Sequence, residues 1–225
     1  MNMEPSSDTS VLELRIYQIK DSMIPEWVKA FNTEVRVINE QSGAVVQGAA
    51  FNMDKKDEFI WLRFFPDRQS REIIRSNIYG GADWLNIEDR IRSMLVTRSE
   101  QLLYPLGSWA SDDNLFQADN INQINEIRIY DIAEGRMNDW LKVFQESILK
   151  LHIENGVFVS GLFRSTDDTN QFIWIRSFDN EEHREVATQR IYQGPEWARI
   201  REKVSSCLED YSNVRNLKLL QWFDG

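Results

Sequence analysis

Arginines and tyrosines at short, regular spacing among tryptophans are the residues of this chain best suited to chemistry. Arg15 and Tyr17 stand two apart, as do Trp61 and Arg63, and Arg71, Tyr79 and Trp84 follow. The set recurs as Arg128 and Tyr130, Trp174 and Arg176, then Arg184, Tyr192 and Trp197. A guanidinium in an apolar pocket can hold a carboxylate or stabilise an enolate oxygen. A nearby phenol can donate a proton or a hydrogen bond. The competing reading is structural. A charge buried among aromatics needs a partner, and Glu13 and Glu126 are placed to pair with the arginines. Tyr79 would then simply pack on Trp84.

His183, one of two histidines, stands where the first set has Ser70. An asymmetric residue in a repeated chain can mark the copy that kept a site. His183 is therefore the weak candidate for a general base or an axial haem ligand, against the commoner role of a solvated helix residue. His152 matches Asn39 and has a lesser claim. Cys207 is the single cysteine, so no intrachain disulfide can form, and no Cys or His flanks it at metal-ligand spacing. No zinc or other metal site is expected. The chain has no G-x-S-x-G, no phosphate-binding glycine loop and no G-x-G-x-x-G after a strand. No cofactor is expected.

The formal charge of −10 disfavours nucleic acid as a partner. No apolar run approaches the ~20 residues of a membrane span. Met1 to Ser10 is polar and acidic, without the features of a signal peptide. Residues 1–10 are expected to be a disordered tail and the location cytoplasmic.

Behind the recurring set lies an internal repeat. Glu13-Leu14-Arg15-Ile16-Tyr17 returns as Glu126-Ile127-Arg128-Ile129-Tyr130, and Phe59 to Phe65 returns as Phe172 to Phe178. The offset is 113 for both, and again for Trp27/Trp140, Gly43/Gly156, Gly48/Gly161 and Trp109/Trp222. More than a quarter of the pairs from Glu13 to Trp109 are identical, without a gap.

Each copy reads the same way. Leu12 to Ile19 is a β-rich run. Trp27, Ala30, Phe31, Val35 and Ile38 have helical spacing, and Gly43 stops the helix. Ala44 to Met53 and Glu58 to Phe65 flank a polar turn and form a hairpin. Asp67 to Asn77 and Asp83 to Leu95 read as helices, and Ser99 to Trp109 as the last strand. The order βαββαβ predicts a ferredoxin-like α+β unit. The expected domains are 11–109 and 124–225, joined by a polar linker over 110–123.

The strand from Glu58 to Phe65 carries Phe59, Trp61, Arg63 and Phe65 on one face, and Ile60, Leu62 and Phe64 on the other. Helices cover one face of such a sheet; the second apolar face also needs a cover. The other copy is the expected cover, packed sheet to sheet as an intramolecular pseudo-dimer. Duplication would fuse what is otherwise a two-fold dimer. A further homodimer remains open.

At Glu13 to Tyr17, the Trp27/Phe31 helix, Phe59 to Phe65, Arg71, Tyr79 and Trp84, and at all their copies, the sequence resembles the NIPSNAP family of the dimeric α-β barrel superfamily. The resemblance implies the ferredoxin-like fold. It leaves activity open, because the superfamily spans cofactor-free monooxygenases, haem-binding enzymes, isomerases and proteins of no known chemistry. The favoured expectation is a small hydrophobic or aromatic, polyketide-like ligand between helices and sheet, with cofactor-independent proton transfer or oxygenation. The alternatives are a non-catalytic protein-interaction module and a haem-binding protein.

Overall fold

The computed structural model describes residues 10–106, 115–116 and 123–219. The first half runs β1 (Val11–Ile19), α1 (24–41), β2 (Val45–Asn52), β3 (Glu58–Phe65), α2 (Arg68–Gly80), α3 (Ala82–Ser93) and β4 (Leu95–Pro105). The second runs β5 (Ile124–Ile132), α4 (137–154), β6 (Phe158–Ser165), β7 (Gln171–Phe178), α5 (Glu181–Tyr192), α6 (Pro195–Ser205) and β8 (Leu208–Leu219). Both long helices, α1 and α4, contain a π turn at matching places, Phe31–Val35 and Phe144–Ile148.

All eight strands join one closed antiparallel barrel in the order β1-β3-β2-β8-β5-β7-β6-β4. The two halves meet edge to edge, through β2 with β8 and β4 with β6, and each seam is three residue pairs long. The expected pseudo-dimeric α-β barrel is present, and hydrogen bonding between edge strands, rather than sheet-to-sheet packing alone, closes it. This closure removes the exposed strand edges that two open sheets would keep.

Strand parity decides what goes inside. Leu12, Leu14, Ile60 and Leu62 meet Ile127, Ile129, Ile173 and Ile175 in one buried cluster in the barrel interior. The alternate residues face the helices. In the first half Tyr17, Trp27, Phe31, Phe59, Trp61 and Met94 pack there, and in the second Tyr130, Trp140, Phe144, Phe172, Trp174 and Cys207. The second apolar face read from β3 is therefore covered by the other half, as expected.

Three sequence expectations need correction. The last strand of the first half starts at Leu95, not Ser99, because α3 stops at Ser93 and Leu95 pairs with Ile19. The segment expected as a polar linker has two buried residues, Leu115 and Phe116, within the barrel cluster. Gly48 and Gly161 make room for them. A Cβ on Gly48 would overlap the Phe116 ring, and one on Gly161 would lie 3.2 Å from Leu115 Cδ2. The uniform offset of 113 also fails in β8. Leu12 pairs with Leu103, whereas its copy Asn125 pairs with Leu217, one residue later than the offset requires. Irregular pairing between Ile129 and Ile132 absorbs the extra residue. The pair Trp109/Trp222 and the tail 1–9 lie outside the described residues.

Candidate functional site

The arginines converge on one buried carboxylate in each half. In the first, Glu13 Oε2 accepts from Arg63 Nε at 2.6 Å and Arg15 Nη1 at 2.7 Å. Its Oε1 accepts from Arg71 Nε at 2.7 Å and Arg75 Nη1 at 2.9 Å. Burial alone would raise the Glu13 pKa, but Arg63, Arg15 and Arg71 outweigh it and hold the group at about 2. In the second half Glu126 Oε2 accepts from Arg176 Nε at 2.7 Å and Arg128 Nη1 at 3.1 Å, and Arg184 Nη1 lies 3.5 Å from Oε1. Burial opposes ionisation there too, and Arg176 and Arg128 again win, so its pKa is lowered.

Strand parity places these side chains under the helices, and α1 and α4 complete the cluster from above. Arg63 Nη1 donates to Asn39 Oδ1 at 2.6 Å, and Asn39 Nδ2 donates to the Val35 carbonyl at 2.7 Å. His152 does both jobs in the second half. Its Nδ1 lies 2.7 Å from the Ile148 carbonyl, which can only accept, so Nδ1 carries the proton. Its Nε2 lone pair faces Arg176 Nη1 at 2.7 Å. Burial and then Arg176 disfavour a second proton, and the pKa falls to about 3. His152 is thus a neutral imidazole whose lone pair is already engaged, and not a free base.

Arg15 Nε and Arg128 Nε each donate to their own tyrosine, Tyr17 Oη and Tyr130 Oη, at 2.7 Å. Burial raises the Tyr130 pKa against the pull of Arg128, so it stays a phenol with a proton to donate. Tyr79 and Tyr192 accept from Arg63 and Arg176 at 3.2 and 3.3 Å. They stack edge-on against Trp84 and Trp197, with centroids 5.2 and 4.8 Å apart.

Here the halves part. A cavity of about 380 Å³ opens in the second half between sheet and helices. Trp140, Trp174 and Trp197 line it with Tyr130, Tyr192, Tyr211 and Arg128. The matching space in the first half, between Trp27, Trp61 and Trp84, is only about 20 Å³. Smaller side chains on α6 line the larger space. Val204 stands where the first half has Ile91, and Ser205 where it has Arg92. More open polar clefts flank both spaces. The one in the first half, about 410 Å³, includes Arg15, Tyr79, Glu88 and Arg92, whose counterparts line the second-half cavity; the one in the second half, about 550 Å³, includes Arg128, Arg176, Arg184 and Tyr192.

Of the sequence candidates, Arg128, Tyr130, Trp174, Tyr192 and Trp197 meet at the open cavity, and Arg176 and Arg184 at the cleft beside it. Arg15, Tyr17, Trp61, Tyr79 and Trp84 surround the closed space. Arg63 is fully buried beneath it, and Arg71 is held on Glu13. His183 lines neither cavity nor cleft. It sits at the start of α5, 5.8 Å from the Phe178 ring, with Nδ1 accepting from the Asp179 N–H at 3.2 Å. Its Nε2 lies 3.5 Å from the Asn155 carbonyl. Sequence reasoning missed Arg201, Val204, Ser205 and Tyr211. Their signal was present in the repeat, as positions where the two copies disagree.

The chain has the fold of a dimeric α-β barrel, a closed eight-stranded antiparallel barrel carrying helices outside it, with a buried arginine–carboxylate cluster in each half. Residues 125–217 match the model of the NIPSNAP family. Solved structures share the whole fold at low identity. An anthrone oxidase-like protein has a TM-score of 0.67 at 7% identity, covering 98% of this chain and 95% of its own. A proposed monooxygenase from Lactobacillus acidophilus NCFM has a TM-score of 0.64 at 10% identity, covering 94% of each chain. An uncharacterized NIPSNAP domain protein from Burkholderia xenovorans is 22% identical over 45% of this chain and 99% of its own, with a TM-score of 0.41. Among curated proteins, no sequence matches this one. No helix among the described residues is long and apolar enough to cross a membrane.

Proposed function

We propose that the second half binds a small, flat, hydrophobic molecule of aromatic or polyketide type, and that the first half is the structural partner that closes the barrel. The two halves, over 11–109 and 124–225, are then ferredoxin-like units of a fused dimer. The observation that carries this reading is the contrast in character between the halves. In the second, a space of about 380 Å³, within the range of small-molecule sites, runs in among three tryptophans; in the first, only about 20 Å³ is left among the tryptophans, and the larger space of about 410 Å³ beside it is a cleft lined by charged side chains such as Arg75, Glu88, Arg92 and Glu100.

Three indoles supply flat walls for ring stacking. Tyr130 offers a phenolic proton and Arg128 a fixed positive charge at one wall. Such a pair stabilises negative charge developing on a ligand oxygen without any cofactor. That suits proton transfer at a carbon next to a carbonyl, or oxygenation of an electron-rich ring with dioxygen as the oxidant. Anthrone, the compound that gives one barrel relative its name, is a neutral molecule of this kind and suits a first trial.

The test fills the cavity with the residues of the first half. A Val204→Ile, Ser205→Arg double variant is expected to lose binding of anthrone or 2-naphthalenemethanol, followed by calorimetry and by tryptophan fluorescence. Absence of binding to the wild-type chain, or unchanged binding in the filled variant, refutes the reading.

A further inference from the structure

We infer that the ligand of this cavity is an aromatic acid, whose anionic oxygen is received between Arg128 and Arg201. This deepens the cavity reading above and rests on it. Arg128 and Arg201 both line the cavity, and no carboxylate lines it with them. The charges of the first half are arranged differently. The residue matching Arg201 is Glu88, which accepts from Arg92 Nε at 2.8 Å. Arg15, the counterpart of Arg128, is bound by two carboxylates, Glu13 Oε2 and Glu100 Oε2, each at 2.7 Å. Arg75 reaches the same two acids, at 2.9 Å to Glu13 and 3.2 Å to Glu100.

The second half lacks both features. The residue across from Arg15 is Glu100, but the one across from Arg128 is Val214; the sequence match of Glu100 is Asn213, and the slip in β8 puts Val214 in its place. Thr188 stands in place of Arg75. Arg128 therefore keeps only Glu126, at the longer distance of 3.1 Å. Its side chain is 15% exposed, against 4% for Arg15. Its Nη2 has no hydrogen bond or ion pair among the described residues, and neither has Arg201. Glu185 stands exposed on the rim of the neighbouring cleft and does not line the cavity.

A guanidinium left without its second acceptor inside an aromatic cavity is a site for a carboxylate, which it can grip with two parallel N–H groups. The ring system fills the space between the tryptophans and the acid points at Arg128. Arg201, on the exposed face of α6, closes over it. The two substitutions that free Arg128 and reverse charge at Arg201 fall in the half whose cavity is open.

Two probes of nearly equal shape separate this inference from the cavity reading: 2-naphthoate and 2-naphthalenemethanol, titrated into the full chain by calorimetry. The acid is expected to bind at least about tenfold more tightly than the alcohol. Val214→Glu restores the pairing of the first half, and Arg201→Glu restores its charge. Each is expected to bring the ratio of the two affinities to about one. Equal binding of both probes to the wild type overturns the acid site and leaves the cavity standing. A ratio that persists in both variants also overturns it, since the acid is then held elsewhere. If neither probe binds, the cavity reading falls and this inference with it.

Discussion

Replacing His152 by Asn, the residue its repeat partner uses, should remove a block of pH dependence from stability. His152 is neutral in the folded chain, with a pKa of about 3 against 6.5 unfolded. Between those values the unfolded chain binds a proton that the folded chain refuses, so stability falls as pH drops below about 6.5 and keeps falling toward about 3. At pH 4.5 the gap of two pH units below 6.5 corresponds to a loss of about 3 kcal/mol from this one residue. Asn39 shows that an amide can fill the role, donating to Val35 and accepting from Arg63. Asn is smaller than His, so absolute stability at neutral pH is expected to drop somewhat. The informative quantity is the difference between urea midpoints at pH 7.5 and 4.5. The wild type should lose about 3 kcal/mol more across that interval than His152→Asn. Equal losses would refute the assignment of a neutral, engaged imidazole.

Removing the carboxylate from either arginine cluster should be severe. Glu13→Gln and Glu126→Gln leave buried guanidiniums uncompensated, and about 3–5 kcal/mol is expected from denaturant titration, more for Glu13 with its four arginines. Glu13 itself, with a pKa of about 2 against 4.5, contributes stability that is complete above about pH 4.5 and is lost as pH falls toward 2. Acid titration of wild type against Glu13→Gln isolates that window. Phe116→Ala should cost about 3–5 kcal/mol in the same assay, because the ring is buried in the barrel cluster; a change below about 1 kcal/mol would mean that the ring contributes little there.

Much of the fold can be read from alternation and repetition. Ile60, Leu62 and Phe64 against Phe59, Trp61 and Arg63 declare two apolar faces, and the repeat supplies the cover for the second. What alternation cannot convey is how the two sheets join. Seams of three residue pairs leave no pattern of their own. Leu115 and Phe116 are two apolar residues in an Asp/Asn-rich stretch, too short to show a period. The β8 slip is equally silent, since a bulge adds a residue without altering the alternation on either side. The repeat shows the aromatic and arginine wall of the cavity but not what opens it. Shared residues such as Arg128, Tyr130, Trp174 and Trp197 line it, while Glu13/Glu126 and Arg63/Arg176 form the same buried cluster in both halves. The contrast with the first half lies at unshared positions such as Val204 and Ser205, and His183 against Ser70 reflects a local difference at a helix start. Ser70 accompanies the Asp67 cap there, while His183 packs on Phe178.

The seams carry a consequence for how such a barrel can change. In an assembly of two identical chains, symmetry copies every substitution into both pockets. A residue that closes one closes the other, and a charge reversed at one mouth is reversed at both. Here the strands of both halves lie on a single chain, so Ile91 and Val204, or Glu88 and Arg201, are inherited separately. One half can trade its hollow for packing while the other keeps it, and the barrel between them stays closed.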